Sequence, residues 1–191
     1  MYETVLRMPY AGLGPLAGLG AYEIHARVAR LMNRPSRDYL YEFNAPQGVL
    51  YLRAPVRAAE ESVTWHDLAP LAAGGRYKLL GRIALEFSRL SRFSKVTSYA
   101  ARRADFATVL ARLLGERAGL GIDSLEVWAD PTVSIRKPGL GAFHFVPINL
   151  AGTVRVDDLS LARCAHERGV GRARGFGFGV LHFRPLAAAR P

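Results

Sequence analysis

The chain has 191 residues, half of them apolar, and a formal net charge of +10. This composition provides for a buried core and excludes a wholly disordered chain. The only cysteine, Cys164, excludes an internal disulfide framework and a multi-cysteine zinc site, and we expect it to be a small buried side chain.

The N-terminal residues do not form a secretory signal, because no basic leader precedes an uninterrupted apolar stretch. The most apolar segment, Met8 to Tyr22, is too short to cross a bilayer and contains Pro9 and Pro15. We therefore expect a soluble cytoplasmic protein that does not contact a membrane. The positive charge favours a polyanionic partner.

The first half of the chain predicts a strand, a helix, a hairpin and a short helix. The helix has apolar residues at helical spacing, and the hairpin turns at residues 44–48. These elements are Thr4–Met8, Ala21–Met32, Asp38–Phe43 with Val49–Arg53, and Ser62–Leu71. Gly74 and Gly75 then indicate a boundary.

The second half repeats this order with longer elements. A strand comes first, then an amphipathic helix from Asp105 to Leu114, four extended segments of which the middle two form a second hairpin, a helix, a glycine-rich loop and a final strand. The elements after the first helix are Leu125–Ala129, Thr132–Lys137 with Ala142–Ile148, Thr153–Val156, a helix from Asp157 or Asp158 to Glu167, the loop Gly169–Gly179 and Val180–Phe183. The strand that opens this half is Arg76–Phe87.

Each half therefore approximates the βαββαβ ferredoxin-like unit. We predict an α+β protein of two tandem ferredoxin-like units, the first abbreviated near its end, with antiparallel sheets that carry helices on one face. The predicted domains are residues 1–75 and 76–191.

Basic residues are concentrated between Arg76 and Arg103, where eight occur against one acid, Glu86. Aromatic and hydroxyl side chains are interleaved with them, which suits a phosphate backbone and occasional base stacking, although a solvated basic face has the same pattern. A second group of cations lies in the glycine loop, where small residues permit close approach to phosphates. The candidate RNA-binding residues are Arg89, Arg92, Lys95, Arg102, Arg103, Gly169, Gly171, Arg172 and Arg174.

Three other patterns do not indicate a cofactor or metal. Residues 12–17 formally fit a dinucleotide fingerprint, but Pro15 interrupts them and a hairpin follows instead of a parallel crossover. The segment from Arg174 to Phe178 begins like an aromatic RNA-binding signature and then departs from it, so Phe176 and Phe178 are either core residues or base-stacking residues. The five histidines do not have metal-ligand spacing. We predict no cofactor and no metal.

Four segments together resemble one family. They are Ala21–His25, Arg37–Tyr41, Arg136–Lys137 and Gly169–Gly179, in the order found in CasE-type CRISPR RNA-processing endoribonucleases of the RAMP superfamily. The resemblance implies metal-independent cleavage of CRISPR repeat RNA at the base of a stem-loop, by attack of the 2′-hydroxyl on the adjacent phosphate. It also implies partnership with other subunits of a CRISPR effector complex.

The resemblance assigns roles to particular residues. It implies that His25 transfers a proton, that Tyr22 assists or orients it, and that Lys137, together with Arg136, stabilises the charged transition state. We also expect Arg27, on the same helix, to bind RNA. The alternative is a non-cleaving subunit of the same fold that binds an RNA hairpin, and the presence of both Tyr22 and His25 favours cleavage over that alternative. A small-molecule enzyme on the same units is disfavoured by the charge and the missing cofactor motif.

Overall fold

The computed structural model describes residues 1–10, 13–34, 38–58, 63–86, 108–131, 133–136 and 142–186. The first unit contains β1 (Tyr2–Arg7), α1 (Ala21–Met32), β2 (Leu40–Asn44), β3 (Val49–Ala54) and β4 (His66–Asp67). Its antiparallel sheet has the order β2-β3-β1-β4, which is the ferredoxin-like order. The fourth strand has only two residues, so the predicted abbreviation of this unit is confirmed.

The helix α1 has the bounds that its apolar spacing predicts. Its N-terminus is held by Glu23, whose carboxylate accepts a hydrogen bond of 2.8 Å from the backbone amide of Gly20. Val28 and Met32 are buried in the first core with side chains from β1, β2 and β3. The helix ends at Asn33, which has a left-handed backbone with φ of 46°.

The predicted helix Ser62–Leu71 is wrong over its described residues, 63–71. Val63 and Trp65 are buried while Thr64 and His66 are exposed, which is the period of a strand and not of a helix. The Thr4 hydroxyl donates to the Thr64 carbonyl, and His66–Asp67 pairs with β1. Two apolar residues at alternate positions thus close the first core by an extended segment.

The second unit begins with β5 (Arg76–Glu86), followed by a helix α2 that is described over 108–118 and contains a π-helical turn at Leu113–Arg117. The remaining elements are β6 (Leu120–Ala129), β7 (Val133–Arg136), β8 (Ala142–Val156), α3 (Leu159–Arg168), a 3₁₀ turn (Arg174–Phe176) and β9 (Leu181–Pro185). The sheet order is β6-β8-β5-β9, with β7 paired to β8, so this unit is also ferredoxin-like. The predicted fold class is confirmed.

Three details of the second unit differ from the sequence prediction. The segments Ala142–Ile148 and Thr153–Val156 belong to one strand, β8. Within it, Gly152 lies so close to β6 that a Cβ would collide with the Ser124 carbonyl. Val109, an apolar residue of the predicted amphipathic helix, is 48% exposed, because Leu110 and Leu114 form the buried face of α2. The predicted helix start at Asp105 lies outside the described residues. Cys164 is exposed and not buried.

The two units are joined by a buried arginine. Arg53, on β3, is 4% exposed and donates from Nη1 to the carbonyls of His166 and Leu181 in the second unit. Its Nη2 lies 3.2 Å from the Glu3 carboxylate of β1. Burial lowers the pKa of Arg53, and the neighbouring Glu3 carboxylate opposes this effect. One charged group thus satisfies acceptors on both sides of the junction.

A second polar contact crosses the same junction. His182, on β9, lies 2.9 Å from the Glu42 carboxylate of β2 and packs edge-on against the ring of Tyr51 at a centroid distance of 4.8 Å. Side chains of β2 and β3 thus face β9 directly. The position of the boundary at residue 75 stays a prediction.

We predict that Arg53→Leu lowers the free energy of unfolding by about 3 kcal/mol, because it leaves two carbonyls at the junction and the partly exposed Glu3 carboxylate without their donor. Urea unfolding measures this change. The matched control is Arg112→Leu, because Arg112 forms an exposed pair with Glu116 one helical turn away and its loss is expected to leave stability unchanged. Equal effects of the two variants would contradict the role of Arg53 at the junction.

We also predict a dependence of stability on pH from His166. Burial lowers the pKa of this imidazole from 6.5 to about 3, and the charge of Arg53 acts in the same direction. Protonation therefore favours the unfolded chain, so stability is complete above pH 6.5 and is lost as the pH falls toward about 3.

His166→Leu should remove a slope of about 1.4 kcal/mol per pH unit in that interval. Urea unfolding over a pH series checks this expectation, with His66→Leu, an exposed histidine of β4, as the control. A slope that is the same in His166→Leu as in the unmodified protein would refute the prediction.

Candidate functional site

Tyr22 and His25 lie side by side on the first turns of α1. Their spacing of three residues places them on one face of the helix, and their ring centroids are 6.3 Å apart. Both side chains are half-buried, and Tyr22 packs against a different apolar cluster from Val28 and Met32, which enter the first core. The sequence prediction that this pair shares a face is confirmed.

The face of α1 that carries the pair packs against the second unit. Tyr22 contacts a small apolar cluster built from Ala84 of β5, Ile135 of β7, Phe145 of β8 and Phe178 of the glycine loop. The helix also contacts β7 and the 3₁₀ turn directly. The site therefore contains residues of both units, and neither unit forms it alone.

The glycine loop forms one wall of the site. It runs from the end of α3 to β9 and is held against the end of β5, where the Gly179 amide donates to the Arg82 carbonyl at 2.7 Å and Arg172 forms a bridge with Ala84. The 3₁₀ turn places Phe176 against His25 with a ring centroid distance of 5.1 Å. The sequence left open whether Phe176 is a core residue or a base-stacking residue. In the structure it packs against His25.

Several glycines of this loop occupy positions that no other residue fits. Gly177 has φ of +87°, and a Cβ there would lie 2.9 Å from the ring of Tyr41 on β2. Gly171 has φ of +76° and would place a Cβ 2.7 Å from Ile83. Gly169 has φ of +69° and would place a Cβ 2.6 Å from the Gly179 carbonyl.

The ring of Tyr41, on which the loop packs at Gly177, is buried. Burial raises the pKa of the Tyr41 hydroxyl well above its usual value, so this ring is neutral.

The β7–β8 hairpin forms the other wall. Val133 and Ile135 pair with Phe145 and Phe143, and Arg136, the last residue of β7, pairs with Ala142. The strand β7 of the predicted basic hairpin contacts α1, and Lys137 lies outside the described residues. The predicted assignment of Arg136 and Lys137 stays a prediction.

The other predicted RNA-binding residues fall in three groups. Arg172 and Arg174 are exposed on the glycine loop, and Arg174 also donates to the Arg168 carbonyl at 2.8 Å. Arg27 donates to the carbonyls of Leu13 and Pro15, at 2.7 and 2.9 Å, and so anchors the segment before α1. Five predicted residues lie outside the described part of the chain: Arg89, Arg92, Lys95, Arg102 and Arg103. Their binding of RNA stays a prediction.

Sequence reasoning counted Arg82 among the basic residues between Arg76 and Arg103 but did not assign it to this site. Arg82, on β5, forms an ion pair of 2.7 Å with Asp130 and lies over the ring of Phe178, 5.2 Å from its centroid. The sequence signal was the period of two along the predicted strand, which places Arg82 and Ala84 on the same face of β5. Its partner Asp130 lies 48 positions further along the chain, and no local pattern joins the two.

Within the described residues, no group of three or more His, Cys, Asp or Glu side chains is arranged to hold a metal ion. No helix in the same part of the chain is long and apolar enough to cross a membrane.

The fold and the site define a class of protein: two ferredoxin-like units whose junction holds a tyrosine–histidine pair between a hairpin and a glycine loop. The model of the family described as CRISPR associated protein matches residues 86–185, which is more than half of the chain. The chain therefore belongs to this family. No curated protein matches its sequence.

Solved structures with the same architecture cover nearly the whole chain. A structure of Thermus thermophilus Cse3 bound to an RNA representing a pre-cleavage complex is 19% identical, with a TM-score of 0.65 over 96% of this chain and 98% of that one. The CRISPR-associated protein Cas6e from Escherichia coli K-12 is 16% identical, with a TM-score of 0.66 over 97% and 100%. A chain of a CRISPR RNA-guided surveillance complex is 18% identical, with a TM-score of 0.68 over 97% and 100%. At these identities the likeness establishes the fold.

We predict that Gly177→Ala destabilises the protein by about 2 kcal/mol more than Gly74→Ala, because only the first substitution drives a methyl group into a buried ring. Both glycines have a positive φ, so both variants carry the strain of a left-handed backbone. A Cβ at Gly74 meets no atom within 4 Å. Urea unfolding measures the difference, and equal losses would show that Tyr41 does not hold the loop.

Proposed function

We propose that the chain is a metal-independent endoribonuclease that cuts CRISPR repeat RNA at the base of a stem-loop. The observation that carries this proposal is the contact of α1 with the hairpin strand β7 and of its His25 with Phe176 of the glycine loop, in a chain of the CRISPR-associated family. The endoribonuclease Cse3 has the same fold and is described bound to RNA. That likeness supports the proposal without assigning the residues.

The chemistry requires little beyond what this site contains. RNA supplies its own nucleophile, the 2′-hydroxyl, which attacks the adjacent phosphate while the bond to the 5′-oxygen breaks. The products are a 2′,3′-cyclic phosphate and a 5′-hydroxyl. His25 moves a proton to or from the reacting oxygens, because an imidazole titrates near neutral pH. Tyr22, one turn earlier on α1, orients His25 or the phosphate.

Charge stabilisation comes from the second unit. The phosphorane that forms during the attack carries additional negative charge, and cations placed beforehand lower its energy. We assign this role to Lys137, together with Arg136, because β7, whose last residue is Arg136, contacts the helix of His25. Arg172 and Arg174, exposed on the glycine loop, contribute phosphate contacts on the opposite wall.

The RNA hairpin is recognised mainly by shape and by its phosphates, as suits an arginine-rich surface. We further propose that the protein acts in the cytoplasm and stays bound to the processed RNA as a subunit of a CRISPR effector complex. Support for this comes from the fold shared with a chain of a CRISPR RNA-guided surveillance complex.

We predict that His25→Ala lowers the rate of cleavage at least about 100-fold and changes hairpin affinity less than about threefold, because the histidine acts on the reacting oxygens and not on the stem. Cleavage is measured in EDTA with the repeat stem-loop of the CRISPR array that accompanies this protein. A second substrate carries a 2′-deoxy nucleotide at the cut site and should remain intact.

The matched control is His66→Ala, an exposed histidine on β4, which should cut at the unmodified rate. Tight binding with no cut by the unmodified protein would favour the non-cleaving hairpin-binding subunit. Cleavage of the 2′-deoxy substrate would rule out the proposed nucleophile.

A further inference from the structure

We propose that Phe176 is a positioning residue for the reaction: it fixes the imidazole of His25 from the other unit. This inference rests on the proposed function and adds to it a residue that carries no chemistry of its own. The two rings have centroids 5.1 Å apart and planes inclined at 53°, a tilted packing that aromatic rings favour.

The position of Phe176 is set by the backbone around it. The turn that carries it lies between two left-handed residues, Ala173 with φ of 55° and Gly177 with φ of 87°. The Phe176 amide donates to the Ala173 carbonyl at 2.8 Å, and the Gly177 amide donates to the Arg174 carbonyl at 3.3 Å. Because Gly177 also lies against Tyr41, the loop has little freedom to move Phe176 away from α1.

His25 consequently has aromatic rings from two sources. Tyr22 packs on it from its own helix, at 6.3 Å, and Phe176 packs on it from the second unit. Contact with Tyr22 alone would leave the imidazole held only by a residue of its own helix. Phe176 adds a contact from the second unit, and a proton transfer that depends on alignment benefits from the reduced freedom of the ring.

Phe176 has no group that donates, accepts or carries a proton, so its effect on the reaction passes through His25. A residue that acts in this way changes the rate of the chemical step and leaves RNA affinity nearly unchanged. It also tolerates a change that keeps the ring. These two properties separate positioning from a general structural role.

The test compares Phe176→Leu, Phe176→Tyr and a matched control, Phe183→Leu. Phe183, like Phe176, packs on a histidine, but its partner is His166 of the second unit, at a ring centroid distance of 4.9 Å. Phe183 lies on β9 and not beside α1. With repeat stem-loop RNA and protein in excess, Phe176→Leu should slow the single-turnover cut about tenfold and change the dissociation constant less than about twofold. Phe176→Tyr should cut within about twofold of the unmodified rate, and Phe183→Leu should do the same.

A second measurement needs no RNA and no activity. The ring resonances of His25 in the free protein, assigned by their loss in His25→Gln, should shift toward those of an exposed histidine in Phe176→Leu and stay near their unmodified positions in Phe176→Tyr. If the unmodified protein fails to cut, the proposed function is wrong, and the resonances alone decide whether Phe176 fixes the ring. A normal rate in Phe176→Leu, or unmoved His25 resonances in that variant, would overturn the proposal.

Discussion

The fixed docking of one ferredoxin-like unit against the other is the constraint on which the site depends. His25 belongs to the first unit, whereas the hairpin strand and the glycine loop beside it belong to the second. Arg53 crosses this junction as a buried cation and donates to backbone carbonyls of α3 and β9. A buried charge that is satisfied only when both units are in place favours one relative orientation over others.

The glycine loop completes the site at this junction. Its left-handed residues allow the chain to pass within van der Waals contact of Tyr41 on β2 and of Ile83 on β5. The loop is thereby packed against both units, and the side chain it places against His25 is Phe176. The glycines thus serve packing, and Arg172 and Arg174 lie exposed on the same loop.

Local patterns in the sequence predicted those structural features that depend only on residues close together in the chain. The bounds of α1, the shared face of Tyr22 and His25, and the capping of α3 by Asp157 or Asp158 follow from spacing within a few residues, and the structure shows that the cap is Asp158. The bonds of Arg53 to Leu181 and the packing of Phe176 on His25 join residues more than 100 positions apart, so no periodicity predicts them. The predicted break between Ile148 and Thr153 was wrong, because Gly152 lies at a close strand contact and such a glycine has the same local pattern as one in a turn.

The most direct test of the composite site is a crystal structure of the protein with a repeat stem-loop that carries a 2′-deoxy nucleotide at the cut site. The account predicts that the scissile phosphate lies between α1 and the β7–β8 hairpin, within hydrogen-bonding distance of the His25 imidazole. A phosphate bound against α3 or β6, with His25 contacting only protein and solvent, would contradict it.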